Sequence, residues 1–397
     1  MVKPLLQRLA RLLVKTVAVT LVLPLLWLIE PFRRLRFTHL WCARFGPLAF
    51  NTHLWVGNRT LNGPEHSTTR IFFGAKPVNR QLFDMWKRVL PIVESRWLSA
   101  FFHYGGTVLS DSRFFAPLPQ EFHNHRAISV QPVLSFDATD EARGRAVLAE
   151  MGLPADAGWV CFQARDPLYH QLRGFGDSGT ERNCRIENYL AAAAEIVGRG
   201  DFALRMGAVA ERPLPDGLDP RIIDYPVRFR SDFADIYLLG KCRFFLCCGT
   251  GSESVPPLFG VPVARANSLP LRPVPQGRRG LYIPKLIRDT ANGEILPFSA
   301  CEKLGAYVYD DRAKARLWEY PGGLDTLGVV AEENNEDDIR DLCLDMYGVI
   351  EGRAPDPEAA RLQTEYKRRF LGHVDSVDFM PDLAPSFVLR YRHLIET

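Results

Sequence analysis

An apolar strand that opens into a loop of small residues occupies positions 243–252, with the sequence Arg243-Phe244-Phe245-Leu246-Cys247-Cys248-Gly249-Thr250-Gly251-Ser252. A near-continuous apolar run of this length predicts a strand buried on both faces, which is typical of a parallel sheet covered by helices. The next strand is predicted at Val261-Pro262-Val263-Ala264-Arg265, after a short helix that ends at Phe259-Gly260. This stretch therefore predicts one strand–helix–strand unit of an α/β domain.

The same alternation extends towards the N-terminus. Three further strands are predicted at 159–163, 202–207 and 222–225. Two helices are predicted between and after them, at 186–197 and 233–239. Ser231 is well placed as the N-cap of the second helix. Residues from about Trp159 to Asn267 are therefore predicted to form a Rossmann-like α/β domain with a parallel sheet.

The length of the chain predicts more than one domain. A chain of 397 residues is long for a single core. A turn, a helix, a strand and a second helix between residues 44 and 90 indicate a first α/β domain, whose topology the pattern leaves open. We predict a membrane-associating segment at 1–36, Rossmann-like domains at 37–150 and 151–350, and a helical tail at 351–397 that packs back on the domains.

Charge and cysteine usage exclude some classes of protein. The formal net charge of +3 is nearly balanced, which argues against nucleic acid as a partner. The eight cysteines show no disulfide or zinc framework, so small buried hydrophobic side chains are the favoured interpretation, as in a reducing compartment. No G-x-x-x-x-G-K-[ST] run occurs, which argues against P-loop enzymes.

The N-terminal 36 residues are predicted to associate with a membrane. The apolar stretch 16–29 follows Lys3, Arg8, Arg11 and Lys15 and precedes Arg33, Arg34 and Arg36. A spanning helix needs about 20 apolar residues, and basic flanks on both sides oppose a span but suit anionic lipid. We expect a helix that lies in the cytoplasmic leaflet, and a single spanning anchor is the alternative. No signal-peptide cleavage site follows the stretch.

Polar features follow three of the predicted strands, at the edge where open parallel sheets bind ligands. Arg165 follows the first strand, Arg205 ends the second, and the loop Gly249-Thr250-Gly251-Ser252 follows the fourth. Hydroxyl groups, guanidinium groups and the N–H groups at the start of the next helix would together bind a diphosphate. The alternative is that the glycines only form a tight turn and the arginines form surface ion pairs.

These motifs carry a resemblance to known enzymes. The run 231–246, the loop 249–252 and Phe259-Gly260-Val261-Pro262-Val263 resemble the donor domain of GT-B glycosyltransferases, which have two Rossmann-like domains. Over about residues 44–350, and most strongly over 162–285, the chain resembles a family of bacterial glycosyltransferases. That family is marked by Arg182-Asn183, by Arg205-Met206-Gly207 and by the Ser-Asp-x-x-Asp-Ile segment at 231–236.

A shorter element resembles a second enzyme class. Gln163-Ala164-Arg165-Asp166 is similar to the His-x-Arg-Arg element of fucosyltransferases, whose arginine binds the diphosphate of the donor. Here Gln163 replaces the histidine and Asp166 replaces the second arginine. A fucosyl donor is therefore not implied.

The resemblance implies a C-terminal donor domain, an N-terminal acceptor-side domain and roles for individual residues. Arg165 would be the main diphosphate ligand, Gly249, Thr250, Gly251 and Ser252 would surround the phosphates, and Arg182 and Arg205 are further candidates. Glu253 would hydrogen-bond the ribose or the sugar. Lys285 would approach the nucleotide, with an ordinary surface lysine as the alternative.

An inverting enzyme of this type also needs a general base on the acceptor side. His53 is the best-placed histidine by topology, because it lies just past the turn at Gly46. His66 and Glu65 compete with it for this role. A histidine of the core or of the surface is the alternative interpretation of His53.

Together these features predict a transferase that moves a sugar from a nucleoside-diphosphate donor to a cell-surface or lipid-linked glycan. It would act at the cytoplasmic face of the inner membrane, in cell-envelope polysaccharide biosynthesis. GT-B enzymes stabilise the leaving diphosphate with fixed cations and N–H dipoles, and no Asp-x-Asp motif occurs, so we expect no metal ion and no other cofactor. A sugar-nucleotide epimerase of the same fold and a non-catalytic glycan-binding or scaffold protein stay open as alternatives.

Overall fold

The computed structural model describes residues 2–63, 67–120, 124–174, 182–269, 271–277, 279–304, 324–372 and 376–396. The chain divides into two compact units, unit 1 at residues 1–121 and unit 2 at residues 122–397. The described residues 124–150, which the sequence analysis assigns to the first domain, lie in unit 2. Two contacts hold them there, because the Tyr237 hydroxyl donates to Glu141 at 3.0 Å and Phe136 stacks on Phe259 at 4.6 Å.

Unit 1 is a small α/β unit. Its helices are α1 (Val2–Val17), α2 (Leu23–Ile29), α3 (Thr52–Asn62), α4 (Arg80–Val89), α5 (Arg96–Gly105) and α6 (Thr107–Ser110). Its strands β1 (Arg34–His39), β2 (Thr68–Gly74) and β3 (Ile92–Glu94) form a parallel sheet in that order. Turns of π-helix at Ala18–Val22 and Pro47–Asn51 join α1 to α2 and lead into α3.

The start of unit 1 differs from the sequence prediction. Arg34 and Arg36, expected only as a basic flank of the membrane segment, belong to β1, which pairs with β2. Arg34, Arg36 and Thr38 alternate with Leu35 and Phe37, which is the period of a half-buried strand, but the two arginines also continue the basic flank of the apolar stretch.

Unit 2 contains the larger sheet. Its helices are α7 (His125–Ile128), α8 (Ala138–Glu150), α9 (Leu168–Arg173), α10 (Leu190–Gly198), α11 (Tyr225–Arg228), α12 (Asp232–Lys241), α13 (Phe298–Lys303), α14 (Glu336–Ile350), α15 (Pro357–Tyr366), α16 (Pro385–Arg390) and α17 (Arg392–Glu396). Its strands are β4 (Trp159–Gln163), β5 (Phe202–Arg205), β6 (Ile222–Asp224), β7 (Phe245–Cys247), β8 (Val263–Ser268), β9 (Leu281–Pro284), β10 (Leu286–Asp289), β11 (Val329–Glu332) and β12 (Asp382–Leu383).

Seven of these strands form one parallel sheet, in the order β12-β9-β8-β7-β4-β5-β6, and β10 pairs with β11 separately. From β4 the chain first builds outward through β5 and β6, and then returns to place β7 on the other side of β4. The order therefore reverses between β4 and β7, which is the position where doubly wound sheets bind ligands.

Helices cover both faces of this sheet, as predicted. Along β4, Val160 and Phe162 pack in the core that contains α10 and α14. The alternate residues face α12, since the Trp159 indole N–H and the Cys161 thiol donate to the Leu238 carbonyl oxygen at 3.0 and 3.5 Å. The tail lies in unit 2, where it adds β12 to the sheet.

The short helix predicted next to the site ends at Phe259-Gly260 as expected, but it is not a continuous α-helix. The segment after the loop 249–252 forms two short 3₁₀ turns, Gly251–Ser254 and Pro256–Phe259. The prolines at 256 and 257 lack the backbone N–H groups that a continuous α-helix needs. A strong helix dipole therefore does not act on this loop, and cationic side chains gain importance.

Candidate functional site

The loop after β7 and the segment after β4 meet at the carboxyl edge of the large sheet. The Arg165 backbone N–H donates to the Cys248 sulfur at 3.1 Å, and the Arg165 carbonyl oxygen accepts from the Cys184 N–H at 3.0 Å. The Ser252 hydroxyl donates to Gln163 Oε1 at 2.5 Å and lies 2.8 Å from the Thr250 hydroxyl. The structure thus brings together Arg165, Thr250 and Ser252, which the sequence placed after different strands.

A buried arginine lies beneath the same loop. Arg265 of β8 is 3 % exposed, and its Nη1 donates to both carboxylate oxygens of Glu253 at 3.1 and 3.2 Å. A Cβ atom on Gly249 would lie only 2.8 Å from Arg265 Nη2 and 3.5 Å from Arg182 Cδ. The Arg265 guanidinium group therefore occupies space that a side chain at Gly249 would need, while Arg182 lies at ordinary van der Waals distance from that position.

Glu253 is the acidic member of this group. Burial raises the pKa of its carboxyl group, while Arg265 and Arg182 counteract this shift by favouring the charged form. The carboxylate is already engaged by Arg265. In this arrangement Glu253 balances a buried arginine, and a ligand that uses Glu253 would compete with that ion pair.

Arg182 and Lys285 approach the edge from other parts of the chain. Among the residues that the structure describes, Arg182 Nε is buried without a hydrogen-bond partner. Lys285 follows β9, is buried, and its Nζ donates to the Asn183 carbonyl oxygen at 3.5 Å. Lys285 is therefore not an ordinary surface lysine, and a buried unsatisfied donor on Arg182 is the kind of group that an anionic ligand would satisfy.

Arg205 is held in a different contact. Its Nη1 donates to the Arg212 carbonyl oxygen at 2.7 Å and lies 3.3 Å from the Asp224 carboxylate. Both side chains are largely buried at the ends of the adjacent strands β5 and β6. This pair resembles the ion-pair alternative of the sequence analysis, although it is buried and not on the surface.

The Ser-Asp-x-x-Asp-Ile segment forms the start of α12. The Ser231 hydroxyl accepts from the Ala234 N–H at 3.1 Å, which confirms the predicted N-cap. The Tyr225 hydroxyl donates to Asp235 at 2.7 Å, and Arg230 lies 3.0 Å from the same carboxylate. Burial raises the pKa of Asp235 to about 6. This part of the motif anchors α12 to the turn before it.

The candidate bases lie in unit 1. His53 is in α3 and is 1 % exposed, so an acceptor hydroxyl would reach it only after α3 moves. Glu65 and His66 lie outside the described residues. The sequence analysis missed His39, which ends β1 and packs against Phe73 and Phe102 with ring centroids 5.2 Å away in both cases. Burial and nearby His103 lower the pKa of His39 to about 4, so its imidazole is neutral at pH 7.

Arg265 is the other residue that the sequence analysis missed. The sequence predicts Arg265 as the last residue of an apolar strand, whereas β8 continues to Ser268. The available signal was an arginine within a strand expected to be buried on both faces, since charged residues are almost never fully buried unless they are paired.

Comparisons with known proteins find similar solved structures, including three glycosyltransferases. No protein-family model matches the chain, and no curated protein sequence matches it. The chain is similar to Escherichia coli ADP-heptose LPS heptosyltransferase II, with 12% identity and a TM-score of 0.43 over 63% of this chain and 90% of that one. It is similar to a family 9 glycosyltransferase from Veillonella parvula, with 10% identity and a TM-score of 0.41 over 75% and 96% of the two chains.

The third is the dodecameric iron-containing heptosyltransferase TibC, solved in complex with ADP-D-β-D-heptose. The identity is 11% and the TM-score 0.39, over 80% of this chain and 78% of that one. All three proteins are glycosyltransferases.

Proposed function

We propose that the protein is a glycosyltransferase and that unit 2 binds its nucleoside-diphosphate sugar at the carboxyl edge between β4 and β7. The observation that carries this proposal is the convergence of Arg165 and the loop 249–252 at the point where the strand order reverses. Doubly wound sheets bind their ligands at this point.

The charges near this edge suit a diphosphate. Arg165, Arg182, Arg265 and Lys285 contribute four cationic side chains, and the acidic Glu253 pairs with Arg265. Guanidinium groups bind phosphate oxygens bidentately, and the hydroxyl groups of Thr250 and Ser252 supply further donors. These cationic side chains would attract the diphosphate of a nucleotide sugar.

The same groups would assist the transfer. When the bond between the anomeric carbon and the diphosphate breaks, negative charge grows on the departing phosphate oxygen. Fixed cations and N–H groups that already point at that position stabilise the charge without reorganising. The acceptor hydroxyl forms the new bond to the anomeric carbon and loses its proton to a base, for which His53 remains the sequence-based candidate. We propose that this reaction needs no metal ion.

The acceptor is proposed to be a cell-surface or lipid-linked glycan, reached at the cytoplasmic face of the inner membrane. The support for this part is the basic and apolar N-terminal helix, which would bring the protein to lipid-borne substrates. A lipid-linked acceptor also explains why such a helix would be joined to a sugar-transferring domain.

A transfer assay with a panel of donors tests the proposal. The full chain is incubated with UDP-, GDP-, CDP- and ADP-sugars, ADP-heptose among them because a similar structure was solved with it. A bacterial lipid extract supplies the acceptor. Release of nucleoside diphosphate together with labelled lipid supports a transferase. A changed sugar without release of diphosphate indicates an epimerase, and binding without turnover indicates a scaffold.

A further inference from the structure

The inner face of the N-terminal helix belongs to the core of unit 1. Side chains at every fourth position, Ala10, Val14, Ala18, Val22 and Leu26, are buried or half-buried. Ala18 and Leu26 pack in one apolar cluster with side chains of β2, α6 and the segment after it. A removable leader or an independent spanning anchor would not supply core side chains, so this helix is a structural part of the unit.

Polar contacts fix the end of this helix. The Glu30 carboxylate lies 2.8 Å from Arg36 of β1 and 3.2 Å from Arg113. The Arg113 guanidinium group stacks on Trp27, 3.6 Å from the ring centroid. Because these contacts join the helix to two other segments of unit 1, its direction relative to the sheet β1-β2-β3 is set by the fold.

The outer face of the same helix is apolar and exposed. Its side chains more than half exposed include Leu12, Leu13, Val19, Leu21, Leu25, Trp27 and Leu28. Leu6–Ile29 is long and apolar enough to cross a membrane. A contiguous apolar face of this length is rarely left in water, and it indicates a surface that another apolar phase covers.

Basic side chains lie at both ends of this apolar face. Arg8, Arg11 and Lys15 are exposed on α1, and Arg33 and Arg34 are exposed just after α2. A helix that crosses a bilayer would place one of these groups on each side. A helix that lies flat places both groups in the same headgroup layer, where anionic lipid attracts them.

Two further aromatic residues extend the exposed apolar surface. Trp97 is the second residue of α5, which packs beside α1, and it is 87% exposed. Phe32 follows α2 and is 91% exposed. Trp is enriched where membrane and water meet, and Phe is typical of the apolar face of interfacial helices.

We infer that unit 1 docks on an anionic phospholipid bilayer as a monotopic domain, through a rigid lipid-facing surface. This surface consists of the outer face of residues 6–29 together with Phe32 and Trp97. The basic groups at both ends of the helix bind headgroups of one leaflet, and the leucines between them enter its acyl region. The inference goes beyond the proposed transfer chemistry, because it concerns how the protein sits on the membrane.

Flotation of the purified full chain with vesicles tests the apolar part of this surface. Neutral phosphatidylcholine vesicles are compared with vesicles that also contain phosphatidylglycerol. Replacing Leu21, Leu25 and Leu28 by Asn should weaken partitioning by about tenfold for each leucine, and Trp97→Ser by a similar factor. Leu172→Asn, at an exposed leucine of α9 in unit 2, is the matched control and should bind like the wild type. Melting curves show that each variant is folded.

The basic residues are tested with the same vesicles. Replacing Arg8, Arg11 and Lys15 by Gln should weaken binding to the anionic vesicles by about fivefold for each residue and leave binding to neutral vesicles unchanged. Unaltered flotation of the leucine or Trp97 variants would overturn the inference. Absence of vesicle binding by a wild-type chain that instead self-associates through this face would also overturn it.

Protease protection separates a monotopic from a spanning arrangement. A tag at the N-terminus should remain accessible to protease added outside sealed vesicles, on the same side as unit 2. A protected tag would mean that the helix crosses the bilayer and would overturn the inference. None of these measurements uses a sugar donor, so their failure would leave the proposed transfer reaction untouched.

Discussion

Gly249 decides how closely charge can approach the loop at the edge of the large sheet. The Arg265 guanidinium group uses the space that a side chain at this position would fill, and Arg182 lies at ordinary van der Waals distance from it. Gly249 is not among the glycines with positive φ, so backbone conformation does not explain the residue. The close approach of the Arg265 guanidinium group explains why this position is a glycine.

Gly249→Ala should therefore weaken nucleotide binding while leaving unit 2 folded. The new methyl group would displace Arg265 Nη2, and a charge-assisted hydrogen bond is worth about 1.5–3 kcal/mol. We expect the Kd for the nucleoside diphosphate to rise at least about tenfold in calorimetric titration. Gly198→Ala is the matched control, since a Cβ there meets no atom within 4 Å. Equal Kd values for both variants would contradict this role of Gly249.

At the scale of elements, α12 shows how a motif can serve structure. Asp235 accepts from the Tyr225 hydroxyl and pairs with Arg230, so the second acidic residue of the Ser-Asp-x-x-Asp-Ile segment ties α12 to α11 and to the turn before it. The carboxyl group is largely buried. Its protonation is consequently linked to folding.

Asp235→Asn should change how stability depends on pH. Burial raises the pKa of Asp235 from 3.8 to about 6, so the folded state binds this proton more tightly than the unfolded state does. The contribution of Asp235 to the free energy of unfolding is therefore largest below about pH 4 and falls as the pH rises to about 6. Between pH 4 and pH 7, the unfolding free energy of the variant should rise relative to the wild type by roughly 2–3 kcal/mol.

Chemical denaturation at several pH values measures this difference. Tyr225→Phe is the control, because it keeps the carboxyl group and removes a hydrogen bond that lowers the pKa of Asp235, so its stability should depend on pH at least as strongly as that of the wild type. A difference between Asp235→Asn and the wild type that does not vary with pH would show that Asp235 does not titrate in this range.

At the scale of the whole molecule, the sequence predicted unit 2 better than unit 1. Near-continuous apolar strands such as 243–248 alternate with helices in unit 2, and this pattern carries the information that a parallel sheet requires. In unit 1, β1 mixes basic and apolar residues, and the membrane segment shares its inner face with the core. The alternation along β1 is a local strand signal that the basic flank masked, whereas the packing of the membrane segment depends on contacts between distant segments, which local patterns do not encode.

The candidate site could also be predicted only in part. The carboxyl edge and the loop 249–252 followed from strand order, because residues after parallel strands meet at one edge. The contact partners of the individual side chains could not be predicted from strand order. Arg205 pairs with Asp224 of the neighbouring strand, and Arg265 reaches the loop from within β8. Sheet order and register determine both contacts, and neither is visible in the sequence.

The most direct test of the central claim is a thermal-shift screen of nucleoside diphosphates with the wild type, Arg165→Ala and Arg221→Ala. Arg221 pairs with Asp219 on the surface just before β6, at the opposite edge of the sheet, and serves as the matched control. At a hundredfold excess over its Kd, a ligand specific for the folded state stabilises it by about 2.7 kcal/mol. We predict that one of UDP, GDP, CDP and ADP raises the Tm of the wild type and of Arg221→Ala but not that of Arg165→Ala. A full shift in Arg165→Ala, or no shift of the wild type with any of the four, would contradict a nucleoside-diphosphate site between β4 and β7.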